Sequence, residues 1–267
     1  MIRTEALIFM CFTALFTTLG PVIAAIVFYR KKKYYVGSVF IGAAAFFVFQ
    51  VITRIPLIQI VLPKMQWYQD MQNNLWVYAL FLGLTAGLFE EVGRYLAFTL
   101  ILKKHHDWEN AVAFGIGHGG IEAILLVGLT YVSNLITSVM INSGMYDTIL
   151  AQSPEQTREA LIQAKNLLVQ TPSSIYLVAS AERLFAFTIH LALSVLVMVG
   201  IQKKKGLPYL GLAILLHMLV DSPVVIMSGY GVSVWVIEGF VFILAIISFA
   251  YIRKKGQQEK LSAEPIG

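Results

Sequence analysis

Hydrophobic residues fall into seven long runs, at about 5–29, 35–62, 75–102, 110–141, 173–201, 207–228 and 231–252, with short polar stretches between them. Each run reaches the roughly 20 residues that an α-helix needs to cross the hydrocarbon core of a bilayer, so each predicts a transmembrane span. The pattern predicts an all-α polytopic helix bundle of about seven spans, with eight as the alternative count, forming one domain over residues 1–255. The opening Met-Ile-Arg-Thr-Glu carries one charge of each sign before an uninterrupted apolar run, which reads as a retained helix and not as a cleaved signal peptide. Within the long connection at about 142–172, Ser153-Pro154-Glu155-Gln156 has the form of a helix start: a capping Ser, Pro in the first turn and Gln three residues on. Ala160, Leu161, Leu167 and Leu168 follow, predicting a short amphipathic helix that is either a packed connector or a substrate lid. Residues 256–267 read as a polar, disordered tail.

Composition agrees with the span pattern. With 58% hydrophobic residues, 13% charged residues and a mean hydropathy of +0.74, the chain cannot present an ordinary polar surface to water. It is expected to be a multi-pass integral membrane protein whose principal partner is the lipid bilayer. The single cysteine, Cys11, excludes a disulfide framework and a cysteine-based metal cluster. The sequence pI of about 9.2 arises from Arg30-Lys31-Lys32-Lys33, Lys103-Lys104, Lys203-Lys204-Lys205 and Arg253-Lys254-Lys255, which follow spans one, three, five and seven. That alternation is a topology signal and implies no nucleic-acid partner; positive-inside bias predicts an N-out, C-in chain with a cytoplasmic tail.

Ionisable side chains nevertheless occur inside four of the spans: Glu90-Glu91-x-x-Arg94, His118-Gly-Gly-Ile-Glu122, His190 and His217-x-x-x-Asp221. A charged group at the centre of a membrane helix costs roughly 2.5–3.5 kcal/mol on insertion scales, so four such insertions require a reason. Counted from the expected cytoplasmic ends of their helices, Glu90, Glu122, His190 and His217 all lie ~15–18 Å deep at about 1.5 Å per residue. One shared layer across four helices predicts one shared site. Residues four apart share a helix face, so Glu90/Arg94, His118/Glu122 and His217/Asp221 can each point inward together, with Arg94 expected to hold a carboxylate of the Glu90/Glu91 pair.

Imidazole and carboxylate donors without thiolate suit zinc or another borderline divalent ion. On this reading His190 and His217 are ligands, Glu122 or His118 is the third, Glu90 is the base, Glu91 packs or supports, and Asp221 orients an imidazole or a substrate carbonyl. A metal-free scheme, with a carboxylate activating water and histidines shuttling protons, accounts for the same residues. The remaining polar groups have plainer readings. His105 and His106 sit beside Lys103 and Lys104 as interfacial residues, and Arg54, Glu182, Arg183 and Glu238 are expected to form inter-helix ion pairs. Gly115, Gly117, Gly119 and Gly120 have no preceding strand and no following Lys-Ser/Thr, so they predict close helix approach and not a phosphate loop.

Taken together, Glu90-Glu91-x-x-Arg94, Gly-x-Gly-His118-Gly-Gly-x-Glu122, Glu182-Arg183 leading to His190, and His217-x-x-x-Asp221 resemble the YhfC family of intramembrane proteases, itself similar to PrsW and to the CAAX prenyl protease and bacteriocin-processing superfamily. The resemblance implies that a carboxylate of the Glu90/Glu91 pair is a general base, and that Phe114-x-x-x-His118 and Glu122 match the second motif of the prenyl-protease and PrsW branches respectively. It implies peptide-bond hydrolysis on a membrane-embedded or membrane-proximal peptide, by a metal-dependent or glutamic-type mechanism, in a bacterial cell membrane. A proton- or ion-coupled transporter would also bury Glu, His and Asp, though no broken-helix pair or half-and-half symmetry points to one. A non-catalytic membrane scaffold is the third alternative.

Overall fold

The computed structural model describes residues 1–263, with side chains through Leu261. Eleven α-helices are present among these residues, and no strand: α1 (Thr4–Lys32), α2 (Gly37–Phe46), α3 (Gln66–Gln72), α4 (Leu75–Leu96), α5 (Trp108–Glu122), α6 (Leu129–Asn142), α7 (Met145–Gln152), α8 (Glu155–Gln170), α9 (Ser173–Gln202), α10 (Gly206–Gly229) and α11 (Val234–Ala263). Four π-helical stretches, Phe47–Arg54, Leu57–Val61, Ala97–Ile101 and Ala123–Gly128, extend α2, α4 and α5 or join α5 to α6. The result is seven helical segments long and apolar enough to cross a membrane: 4–32, 37–64, 75–101, 108–142, 173–202, 206–229 and 234–261. Side chains such as Ile52, Val139 and Ile247 stand more than half exposed along them, an apolar surface that only lipid can cover. The protein is a multi-pass integral membrane protein.

The chain groups into two compact units. The first comprises 1–20 and 123–184. Its small core joins Met10, Ile141, Tyr146, Leu168 and Tyr176, and Asn142 clasps the start of α1 by accepting from Ile2 N–H and donating back to Ile2 C=O. Here the long connection differs from its sequence reading, since it forms two helices, α7 and α8, and not one. Ser153 does not cap α8, because its hydroxyl donates 2.7 Å back to Ile149 C=O and so closes α7. Of the expected apolar face, Leu168 is buried and Leu161 packs on the core, whereas Leu167 is 70% exposed.

The second unit comprises 21–122 and 185–267. Its central element is α5, buried without interruption from Asn110 to Gly120, as a helix enclosed on every side must be. Small residues make that enclosure possible. A Cβ on Gly117 would strike the carbonyl of Val39, and one on Gly42 would strike the carbonyl of Phe114, so α2 and α5 touch backbone to backbone. Gly87 does the same for α4 against α10, where a Cβ would meet Ile214 C=O and the Cβ of His217.

The basic loops of this unit meet at one end. Tyr35 stacks on His105 with ring centroids 4.2 Å apart, Lys32 pairs with Glu109 at 3.0 Å, and Gln202 donates to His106 C=O at 2.9 Å. Trp108 donates its indole N–H to Ile252 C=O at 3.0 Å, and its backbone N–H to the Glu259 carboxylate at 3.1 and 3.2 Å. That last contact corrects the reading of the tail. Residues 256–263 continue α11 as helix, because Glu259 is engaged by the N-terminus of α5; residues 264–267 of the expected tail lie outside the described residues.

Candidate active site

All eight ionisable residues singled out in the spans belong to the second unit, and the structure brings them together. Helix α4 supplies Glu90, Glu91 and Arg94, which are 3%, 0% and 0% exposed. Of the two carboxylates within its reach, the Arg94 guanidinium pairs with Glu91 through Nη1, although it is Glu90 that lies four residues away on the same face. The two adjacent carboxylates thereby take different surroundings.

Glu91 is locked on both oxygens, Oε2 by Arg94 and Oε1 by His217 Nδ1 at 2.9 Å. Glu90 faces the histidines: its Oε2 lies 2.9 Å from His118 Nε2, 3.8 Å from His190 Nδ1 and 3.9 Å from His217 Nε2. Three imidazole nitrogens from α5, α9 and α10 therefore surround one carboxylate oxygen from α4. The His118 and His190 rings lie 5.1 Å apart, those of His190 and His217 5.5 Å, and Phe46 meets the edge of His118 at 5.3 Å.

The outer nitrogens are held as well. His190 Nε2 lies 2.6 Å from Glu122 Oε2, so both His118 and Glu122 take part: His118 at the centre, Glu122 behind His190. His190 Nδ1 and His217 Nε2 are thus the ring nitrogens turned toward Glu90, with the opposite nitrogen of each ring set against a second carboxylate. Arg94 Nη2 approaches the same His190 Nδ1 at 3.4 Å. Asp221 sits 3.5 Å from His217 Nε2, and at 37% side-chain exposure it is the open edge of an otherwise closed cluster.

Two members escaped the sequence reading. Gln50, in the Phe47–Arg54 π-helical stretch, donates from Nε2 to Glu90 Oε1, and Arg54 Nη1 donates to Gln50 Oε1 at 3.2 Å. Arg54 was expected in an inter-helix ion pair. Its bonds run instead to Gln50, to Thr85 Oγ1 at 3.2 Å and to Leu82 C=O at 2.7 Å. The available signal was the four-residue spacing of Gln50 and Arg54 within an apolar run. Glu182 and Arg183, in the first unit, pair with each other.

The arrangement suits a divalent cation on three observations. Glu90, His118 and His190 each offer a ligand atom, and these atoms lie within 4.8 Å of one another. All three residues are buried, which keeps their donor atoms out of bulk water. Four carboxyl side chains, Glu90, Glu91, Glu122 and Asp221, gather here with only two guanidinium groups, Arg94 and Arg54, a donor-rich setting that suits a cation. The second carboxylates behind His190 and His217 are the outer partners that metal-binding histidines characteristically have.

Comparison with known proteins agrees with the motifs. The YhfC intramembrane metalloprotease family matches residues 16–241, a span that contains every residue of the cluster. The chain is 34% identical over 256 residues to the uncharacterized membrane protein YhfC of Bacillus subtilis (strain 168), covering 95% of this chain and 98% of that protein. No solved structure matches the chain. A match that begins within the first span, runs through the next five and ends within the seventh, with a relative 34% identical over 95% of the chain, places this protein in the YhfC intramembrane metalloprotease family.

Proposed function

We propose that the protein is a membrane-embedded metallopeptidase that hydrolyses a peptide bond in a membrane-spanning or membrane-proximal segment. The observation that carries this reading is the convergence of Glu90 Oε2 with nitrogens of His118, His190 and His217 inside the bundle. Glu90, His118 and His190 would hold the divalent ion, for which zinc fits the nitrogen and oxygen donors best. Such an ion, when bound, supplies Lewis acidity toward a scissile carbonyl and toward water.

The chain's own groups do the rest. Glu91, fixed by Arg94, holds His217 by its Nδ1 proton and leaves Nε2 free to accept a proton from the attacking water. The proton then passes to the departing amine nitrogen as the C–N bond breaks. Asp221, beside that same Nε2 and partly exposed, stabilises the imidazolium and receives the incoming peptide. With the basic loops in the cytoplasm, N-out and C-in, the cluster lies ~15–18 Å from the inner face and cuts within the membrane.

One observation favours a second, metal-free reading. Glu90 Oε2 already occupies the point that the three imidazoles face, so Glu90 itself could take the proton from water while the histidines stabilise the oxyanion. Metal content and chelator response of the purified protein, measured beside cleavage of membrane peptides, separate the two. One tightly held ion per chain, lost in His118→Ala and His190→Ala together with cleavage, supports the metallopeptidase. Chelator-resistant cleavage by metal-free protein, abolished in Glu90→Gln, supports the second reading. Cleavage unchanged in Glu90→Gln, Glu91→Gln and His217→Ala overturns both.

A further inference from the structure

The second unit has a cavity of 370 Å³ lined by none of the cluster residues, where the N-terminal end of α5 meets the C-terminal ends of α9 and α11. Its two halves differ in chemistry. Ala111, Val195 and Met198 form a floor that is at most 1% exposed, with Val199 beside them. Gln202, Lys203, Lys255 and Gln258 form the polar rim, and Trp108 is a wall.

The rim is cationic and uncompensated. Lys203 Nζ lies 3.3 Å from Tyr209 OH, and Lys255 Nζ lies 2.9 Å from Gln258 Oε1. Both partners are neutral, and neither lysine is ion-paired among the described residues. The carboxylate in the wall, Glu259, is turned to the backbone N–H of Trp108. Two lysines without an anionic partner among the described residues thus line the mouth of an apolar recess, their Nζ atoms 5.8 Å from the Tyr209 and Tyr251 rings, at the end of the bundle where the other basic loops gather.

We propose that this cavity binds an anionic phospholipid, with the phosphate between Lys203 and Lys255 and the glycerol and first acyl methylenes on Val195, Met198 and Val199. A soluble anion would use the lysines and waste the floor, and a neutral acyl chain would use the floor and leave the lysines. A phospholipid uses both, at a depth where Trp and Lys ordinarily mark the membrane boundary. The proposal is independent of the chemistry at Glu90. Its structural effect would be to brace three helices, of which α5 carries His118 and α9 carries His190.

The test uses the full chain, purified and delipidated, with native mass spectrometry and thermal melts as readouts. Dioleoyl-phosphatidylglycerol is compared with dioleoyl-phosphatidylcholine, and with glycerol-3-phosphate and inorganic phosphate as tail-free probes. Phosphatidylglycerol is expected to bind and raise the melting temperature, and the other three are not. The double variant Lys203→Gln/Lys255→Gln should bind phosphatidylglycerol roughly 10- to 30-fold more weakly, because each basic residue near an anionic headgroup matters on that scale. Lys103→Gln/Lys104→Gln, exposed lysines of a loop outside the cavity, should bind as the parent does. Equal loss in both double variants, or in neither, overturns the proposal, as does equal binding of phosphatidylcholine. Equal binding of either tail-free phosphate overturns it in favour of a soluble-anion site.

Discussion

Glu90 and Glu91 are neighbours in sequence with opposite environments, and Arg94 decides which is which. Spacing alone placed both carboxylates within reach of the guanidinium, since i,i+3 and i,i+4 pairs are nearly equidistant on a helix. The choice of Glu91 follows from packing: His217 claims its other oxygen, while Gln50 and the histidines claim Glu90. Because Glu91 and Arg94 are fully buried, Arg94→Ala should destabilise the protein by about 3–5 kcal/mol by stranding a carboxylate. Unfolding in graded sodium dodecyl sulfate would measure this, and Glu91→Gln combined with Arg94→Met should recover part of the loss. Gln50→Leu removes the donor that fixes Glu90 Oε1, and should weaken metal binding by about 10- to 100-fold in competition with a chromophoric chelator while leaving the fold intact. The charged and histidine members of the site were legible because ionisable groups are conspicuous in apolar sequence. Gln50 was not, since a neutral amide in a hydrophobic run announces no charge.

Helices α2, α4 and α5 reach the site through unusual local geometry. Glu122 is the last α-helical residue before the Ala123–Gly128 π stretch, the Ala97–Ile101 stretch begins three residues after Arg94, and Gln50 and Arg54 lie within Phe47–Arg54. Each π turn inserts a residue relative to the α repeat and re-aims the side chains that follow, a device common at functional sites. Periodicity located the ends of the seven spans to within three residues, except that the last runs to 261 and not 252, yet it could not locate these insertions, which depend on neighbouring helices. It also missed the division of 142–172 into α7 and α8, because Ser153 suited both the end of one helix and the start of the next. The glycines were read correctly as packing residues. Gly117→Ala should cost about 1–3 kcal/mol through collision with the Val39 carbonyl, whereas Gly211→Ala, with open space at its Cβ, should be near neutral in the same unfolding assay.

At the scale of the molecule, buried ionisable groups are concentrated in one layer of the second unit, where four carboxyl side chains meet two guanidinium groups. On the proposed reading, the cation held in this layer stabilises the fold. Saturating a zinc-free preparation to about 100 times its dissociation constant should add roughly 2.7 kcal/mol, seen as a higher melting temperature that chelator reverses. His118→Ala should show no such response. The seven spans and the gathering of their polar groups could be read from sequence because membrane thickness and the cost of burying charge act uniformly along the chain. The joining of the basic loops through Trp108 could not, since it depends on partners 144 and 151 residues away. That joining also bears on the order of assembly. Helix α5 enters the membrane long before Ile252 and Glu259 are translated, so Trp108 lacks its α11 partners through most of synthesis, although Asp107 already caps the helix by accepting from Asn110 N–H at 2.8 Å. The site can form early in outline, but its central helix is fastened only when α11 arrives, a sequence of events that ties maturation of the cluster to late synthesis.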